Sequence, residues 1–190
     1  MELEDIILEE LMAFLPVYLS MKGNCTLLYT NRGGQYELES TIRTILNQLS
    51  QYYLIDLRAI RKHYSNILNI KNLVPIPFNE ENIFVPIKVR KPLCKNDGSF
   101  GYVNIKYIKK VSIKKGKALI YLKNDDIIEC LSSVETVNKH IKNGKIVKKL
   151  YQQNQRGNIV KEYDLYKEYD KPATKADIAL LINEILKMRG

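Results

Sequence analysis

The sequence has no tryptophan, only two histidines and three cysteines in 190 residues, and each scarcity removes a class of function. His63 and His140 lie far apart, and neither stands in HExxH or another metal-ligand spacing. Cys25, Cys94 and Cys130 form an odd, widely spaced set without CxxC, which fits a reducing compartment and small buried thiols. There is no P-loop and no GxGxxG, and Gly33-Gly34 suits a turn better than a phosphate cradle. No apolar run approaches the roughly 20 residues of a membrane helix. The N-terminus is acidic where a signal peptide would be basic. Asp125, Asp126 and Glu129 read as hairpin residues, not as a metal cluster. The expectation is a soluble cytoplasmic protein with no catalytic residues, no metal, no cofactor and no membrane partner.

What the chain does have is positive charge, unevenly placed. The net charge is +9, yet residues 1–40 carry 2 basic and 7 acidic side chains, and residues 41–160 carry 22 and 8. A basic middle of this kind attracts a polyanion, and nucleic acid is the commonest in a cytoplasm. A solvated Lys-rich surface would give the same composition.

Apolar spacing at Leu3, Ile7, Leu11, Phe14 and Leu15 predicts an acidic amphipathic helix over residues 3–15. Residues 26–30 and 35–39 predict a hairpin about Asn31-Arg32-Gly33-Gly34, followed by a helix capped by Ser40 with Ile42, Ile45, Leu46, Leu49 and Tyr53 inward. Residues 53–57 read as a strand leading into the basic stretch Arg58 to Tyr64. Residues 73–92 hold four of the six prolines, which predicts an edge strand or a connection. Residues 103–111, 118–122 and 127–131 read as strands. Ser132 with Glu135 opens a helix that stops near Gly144. Residues 145–170 carry no clear period, and Thr174 with Asp177 starts a last helix.

The chain also resembles itself. Residues 15–49 align without a gap on 107–141, at an offset of 92, with seven identities including Ser20/Ser112, Lys22/Lys114, Tyr29/Tyr121 and Ser40/Ser132. The expected fold is α+β and β-rich: two similar β-β-α units in tandem, with N- and C-terminal helices. The expected organisation is 1–80 for the N-terminal helix and first unit, 81–100 for a Pro-rich basic connection, 101–150 for the second unit, and 151–190 for a polar segment and final helix.

Basic side chains gather in three places: Arg58, Arg61 and Lys62; Lys88, Arg90, Lys91 and Lys95; and Lys114, Lys115 and Lys117. Arginine can fork onto guanine or a phosphate or enter a narrow minor groove, whereas lysine mainly supplies charge. Specificity is therefore assigned to Arg58, Arg61 and Arg90, and affinity to the lysines.

Several segments resemble the competence transcription factors, the ComK family. They are Leu15-Pro16, Glu81 to Pro86 (ENIFVP), Arg90 to Cys94 (RKPLC), Gly101 to Val111 (GYVNIKYIKKV), and a Tyr-rich segment before a helix at Asp164 to Met188. Residues Lys117 to Ile141 also resemble parts of LytTR-type DNA-binding domains, although Glu135 stands where such domains often carry a basic residue. The first resemblance implies a bacterial activator that binds AT-rich promoter boxes, largely through the minor groove, and turns on DNA-uptake genes. It also implies control by a proteolytic adaptor acting on the tail around Tyr163 to Glu168. Double-stranded DNA is the expected partner. The terminal helices would serve self-association or other protein contacts, or else cap the core. The alternative is an RNA-binding or ribosome-associated accessory protein, since charge alone does not distinguish RNA from DNA.

Overall fold

The apolar run Leu11–Leu19 sets the architecture, because it is too continuous for a strand with one wet face and marks one covered on both. In the computed structural model, which describes residues 3–92 and 97–169, this run is a central strand and not the end of the helix expected over 3–15. The elements are α1 (Leu3–Leu8), β1 (Leu11–Leu19), β2 (Gly23–Thr30), β3 (Gln35–Leu38), α2 (Ile42–Tyr52), α3 (Leu57–Leu68), β4 (Ile76–Pro77), β5 (Ile83–Lys88) and β6 (Phe100–Asn104). A 3₁₀ turn (Ile105–Tyr107), β7 (Ile108–Lys114), β8 (Lys117–Leu122), β9 (Ile127–Glu129) and α4 (Val134–Tyr169) follow. The chain divides into two units, Met1–Tyr151 and Gln152–Gly190, and the described part of the second is the run of α4 to Tyr169. The fold is α+β and β-rich, as expected from the sequence.

Six strands form one sheet in the order β3-β2-β1-β6-β5-β4, and three form another, β7-β8-β9. Every pairing is antiparallel. Phe14, Leu28 and Phe84 of the large sheet pack with Ile6 of α1 and with Ile45 and Leu49 of α2. Ala13, Leu15, Val85 and Val103 join a separate cluster with Ile120 and Ile128 of the small sheet and Val137 of α4. A third cluster joins Tyr64 of α3, Val74, Ile83 of β5 and Val147 of α4.

The expected helix over 3–15 is a correction. Glu10 takes a left-handed conformation (φ 64°), ends the helical turn and lets the chain re-enter as a strand. The expected strand at 53–57 is a second correction: Asp56 accepts hydrogen bonds from the backbone N–H of Arg58 and Ala59 and caps α3. The strand expected over 103–111 is split by the 3₁₀ turn, which the buried Asn104 opens by accepting from the Lys106 N–H. The Pro-rich segment is not an edge throughout. β5 lies between β4 and β6, but β4 pairs only with Ile83 and Phe84, so Pro86 needs no partner on that side.

Gly144 does not stop α4. A Cβ there would lie 2.5 Å from Val85 Cγ1 and 3.0 Å from Ile105 Cγ2, so the glycine lets the helix press against the large sheet and continue. The helix expected from Thr174 lies outside the described residues.

The internal repeat is three-dimensional. β2–β3 pairs Leu27 with Glu37 and Leu28 with Tyr36, and β8–β9 pairs Leu119 with Glu129 and Ile120 with Ile128, the same register shifted by 92. The turns match too: Thr30 N–H donates to the Gly34 carbonyl and Leu122 N–H to that of Asp126. Gly33 and Asp125 both have positive φ. The helix caps are Thr41 and Ser133, each one residue beyond the expected Ser40 and Ser132.

Candidate nucleic-acid interface

β1 and β5 both run antiparallel to β6, so they run parallel to each other and finish at the same end of the large sheet. The β1–β2 turn and the exit of β5 toward Lys88 and Arg90 therefore meet there. Arg90 is fixed: its Nε donates to the Gly98 carbonyl at 2.6 Å and its Nη2 to Asn24 Oδ1 at 2.5 Å. Asn24 in turn donates from Nδ2 to Asp97 Oδ1 at 2.7 Å. Nη1 of Arg90 is buried and has no hydrogen-bond partner.

α3 brings its basic face to this end. Ile60, Tyr64 and Leu68 turn toward the third core cluster, and helical spacing then leaves Arg58, Arg61 and Lys62 exposed. Arg43 projects from the first turn of α2, while its neighbours Ile45, Leu46 and Leu49 are buried. Arg43, Arg58, Arg61 and Arg90 all line one cleft of about 750 Å³, and none of the described residues lining it is a carboxylate. Arg61 also borders an adjacent hollow with Lys62, Lys71 and Tyr102. Burial pushes the Tyr102 phenol above its ordinary pKa, and the neighbouring Arg61 guanidinium partly offsets that rise.

The small sheet adds lysines to the same end. The Lys88 carbonyl accepts from the Leu131 N–H at 2.8 Å. Ala118, the second residue of β8, bonds through its backbone to Cys130 and Ser132. The exposed β7–β8 turn with Lys114, Lys115 and Lys117 thus lies on the Lys88 side of the molecule. Lys91 is exposed close by, and Lys95 lies outside the described residues.

The opposite end has another character. The turns at 31–34 and 123–126 are joined there by Asn124 Nδ2 donating to the Thr30 carbonyl, and by Gln35 Nε2 donating to Asp126. Lys109 pairs with Asp125 at 2.7 Å, and Lys106 and Lys148 pair with Glu81 at 3.4 and 3.6 Å. Lysines of this basic middle are therefore of two kinds, some paired with carboxylates and others grouped at the arginine end.

The fold unites Arg58, Arg61 and Arg90, the candidates read from the sequence, and adds Arg43 and Asn24 to their cleft and Lys71 to the adjacent hollow. Arg43 was detectable, since the stripe Ile42, Ile45, Leu46 and Leu49 leaves position 43 facing outward. Lys71 and Asn24 carry no comparable local signal; only the tertiary fold brings them here.

Among the described residues no group of three or more His, Cys, Asp or Glu could hold a metal ion. No described helix is long and apolar enough to cross a membrane. Cys25 and Cys130 are buried and free, and Cys94 lies outside the described residues. No family model, no curated protein and no solved structure matches the chain.

Proposed function

We propose that the protein is a cytoplasmic, sequence-specific DNA-binding transcriptional activator that engages AT-rich duplex through its arginine-bearing end. The observation that carries this reading is the meeting of Arg43, Arg58, Arg61 and Arg90 in one cleft, with the lysine-rich β7–β8 turn at the same end. Cations gathered in a shared concavity concentrate the field and raise the local density of phosphate. Arginine adds what lysine cannot, a planar fork for bidentate contact or insertion into a narrow minor groove. Arg43, Arg58 and Arg61 are exposed at one cleft and act together on one stretch of duplex, while Arg90, held by Gly98 and Asn24, adds its charge to the cleft wall. The β7–β8 turn, which belongs to the second repeat, extends the contact along the phosphates. The assignment to competence genes rests on the ComK-like segments, as does an adaptor acting on the tail near Tyr163 to Glu168.

Gel shift with the full chain on AT-rich duplex, GC-rich duplex and single-stranded RNA of equal length tests the reading. AT-rich duplex is expected to bind tightest, with each mismatched pair in a preferred box costing about 1–3 kcal/mol. Equal affinity for all three would remove promoter recognition, and tightest binding to RNA would favour an RNA-binding accessory role.

A further inference from the structure

A duplex would leave part of the arginine cleft unused. Its phosphates can reach the rim, where Arg43, Arg58 and Arg61 are exposed, but they need no apolar floor. The cleft has one: Pro16 and Leu46 are buried in it, and Ile42 and Leu57 are half-buried. A volume of about 750 Å³ lies within the range of small-ligand sites and is far too small for a double helix. Apolar walls with a few convergent charged groups suit a ligand that has a flat, weakly polar body and an anionic end. Arg90 is already immobilised by Gly98 and Asn24, so ordering it on a ligand costs little side-chain entropy.

We propose that this cleft binds a single nucleotide unit, its phosphate among Arg43, Arg58, Arg61 and Arg90 and its heterocycle against Ile42, Leu46, Leu57 and Pro16. Guanidinium groups serve both parts, since they fork onto phosphate oxygens and stack on aromatic planes. The inference rests on the nucleic-acid reading for the nature of the flat body. The unit could be supplied as a free nucleotide or as an unpaired nucleotide of a bound strand, and the two share this chemistry.

Titration calorimetry of the full chain with AMP, adenosine and inorganic phosphate is the test. AMP is expected to bind at least about tenfold tighter than either half alone, because both parts of the site are then engaged. Arg43→Gln and Ile42→Glu are each expected to weaken AMP about tenfold or more. Arg43 is exposed on α2's first turn whereas Ile42 is half-buried against the core, so circular dichroism melting accompanies both variants and Arg43→Gln decides the outcome if Ile42→Glu loses the fold. Competition identifies the source. AMP that displaces a single-stranded oligothymidylate supports an unpaired nucleotide of a strand, and AMP binding without such displacement supports a free nucleotide. AMP binding no tighter than phosphate, or indifferent to both substitutions, overturns the proposal. If AT-rich duplex still binds in those samples, the cleft inference falls alone. If AMP binds and no duplex does, the activator reading falls and the cleft stands.

Discussion

Gly144 shows how one absent methyl group fixes a contact between elements. Mid-helix glycine ordinarily costs about 1 kcal/mol relative to alanine, so Gly144→Ala would normally stabilise α4. Here the new Cβ meets Val85 and Ile105 at 2.5 and 3.0 Å. Gly144→Ala is therefore expected to destabilise the protein by about 1–3 kcal/mol through overpacking, read from denaturant midpoints at constant slope. A gain in stability would mean that α4 can move away from the sheet.

His140 supplies a test at the same scale. Burial, reinforced by the nearby Lys139, holds its imidazole below its ordinary value of 6.5, and its Nδ1 is buried without a partner. The folded state therefore prefers the neutral ring, while the unfolded chain takes up the proton more readily. That contribution to stability is complete above the unfolded-state value and is lost as pH falls through the folded-state value. Denaturation measured from pH 8 down to pH 5 is expected to show a shallower decline for His140→Leu than for the unaltered protein. Parallel declines would show that this ring does not titrate differently on folding. Cys130 is a simpler case, since burial pushes its thiol up to about 12 and makes the thiolate scarce at neutral pH.

Elements that rest on local chemistry were legible in the sequence, and those that rest on tertiary context were not. The β2–β3 and β8–β9 hairpins announce themselves by alternation and turn residues, and the 92-residue offset is visible in the side chains alone. The N-terminal segment misleads because a strand buried on both faces shows no alternation, so its apolar residues can be fitted to a helical period. Residues 53–57 carry strand-forming Tyr, Leu and Ile, but Asp56 caps a helix there. Gly144 looks like a stop until Val85 and Ile105 are seen against it. At the site, the candidate arginines Arg58, Arg61 and Arg90 are scattered in sequence, and only the tertiary fold shows that they line one cleft with Arg43.

α3 and the β7–β8 turn can be separated by experiment. Arg61→Ala is expected to reduce preference for the best AT-rich box by about 1–3 kcal/mol, read from competition against random duplex. Equal weakening on both would make Arg61 a backbone contact. Neutralising Lys114, Lys115 and Lys117 together should weaken all duplexes alike and lower the salt dependence of log K by up to ~3 units. An unchanged slope would detach that turn from the phosphate path.

On the scale of the whole unit Met1–Tyr151, the two ends of the strands carry their basic residues differently, although the arginine end also holds the Lys22–Glu39 pair and Asp97. One end gathers Arg43, Arg58, Arg61 and Arg90 in a cleft with no carboxylate among its described lining residues, and the other sets Lys106, Lys109 and Lys148 against Glu81 and Asp125. Such a molecule would meet a polyanion in a preferred orientation, and the approach should slow steeply as salt is added.

The most direct measurement compares two charge-matched variants for binding to a fluorescent AT-rich duplex by anisotropy. One replaces Arg43, Arg58 and Arg61 with Gln, and the other replaces Lys106, Lys109 and Lys148 with Gln. Both remove three positive charges. The arginine variant is expected to lose at least about a hundredfold in affinity, and the lysine variant less than about tenfold. Equal losses in the two would show that net charge, not the arginine end, holds the DNA.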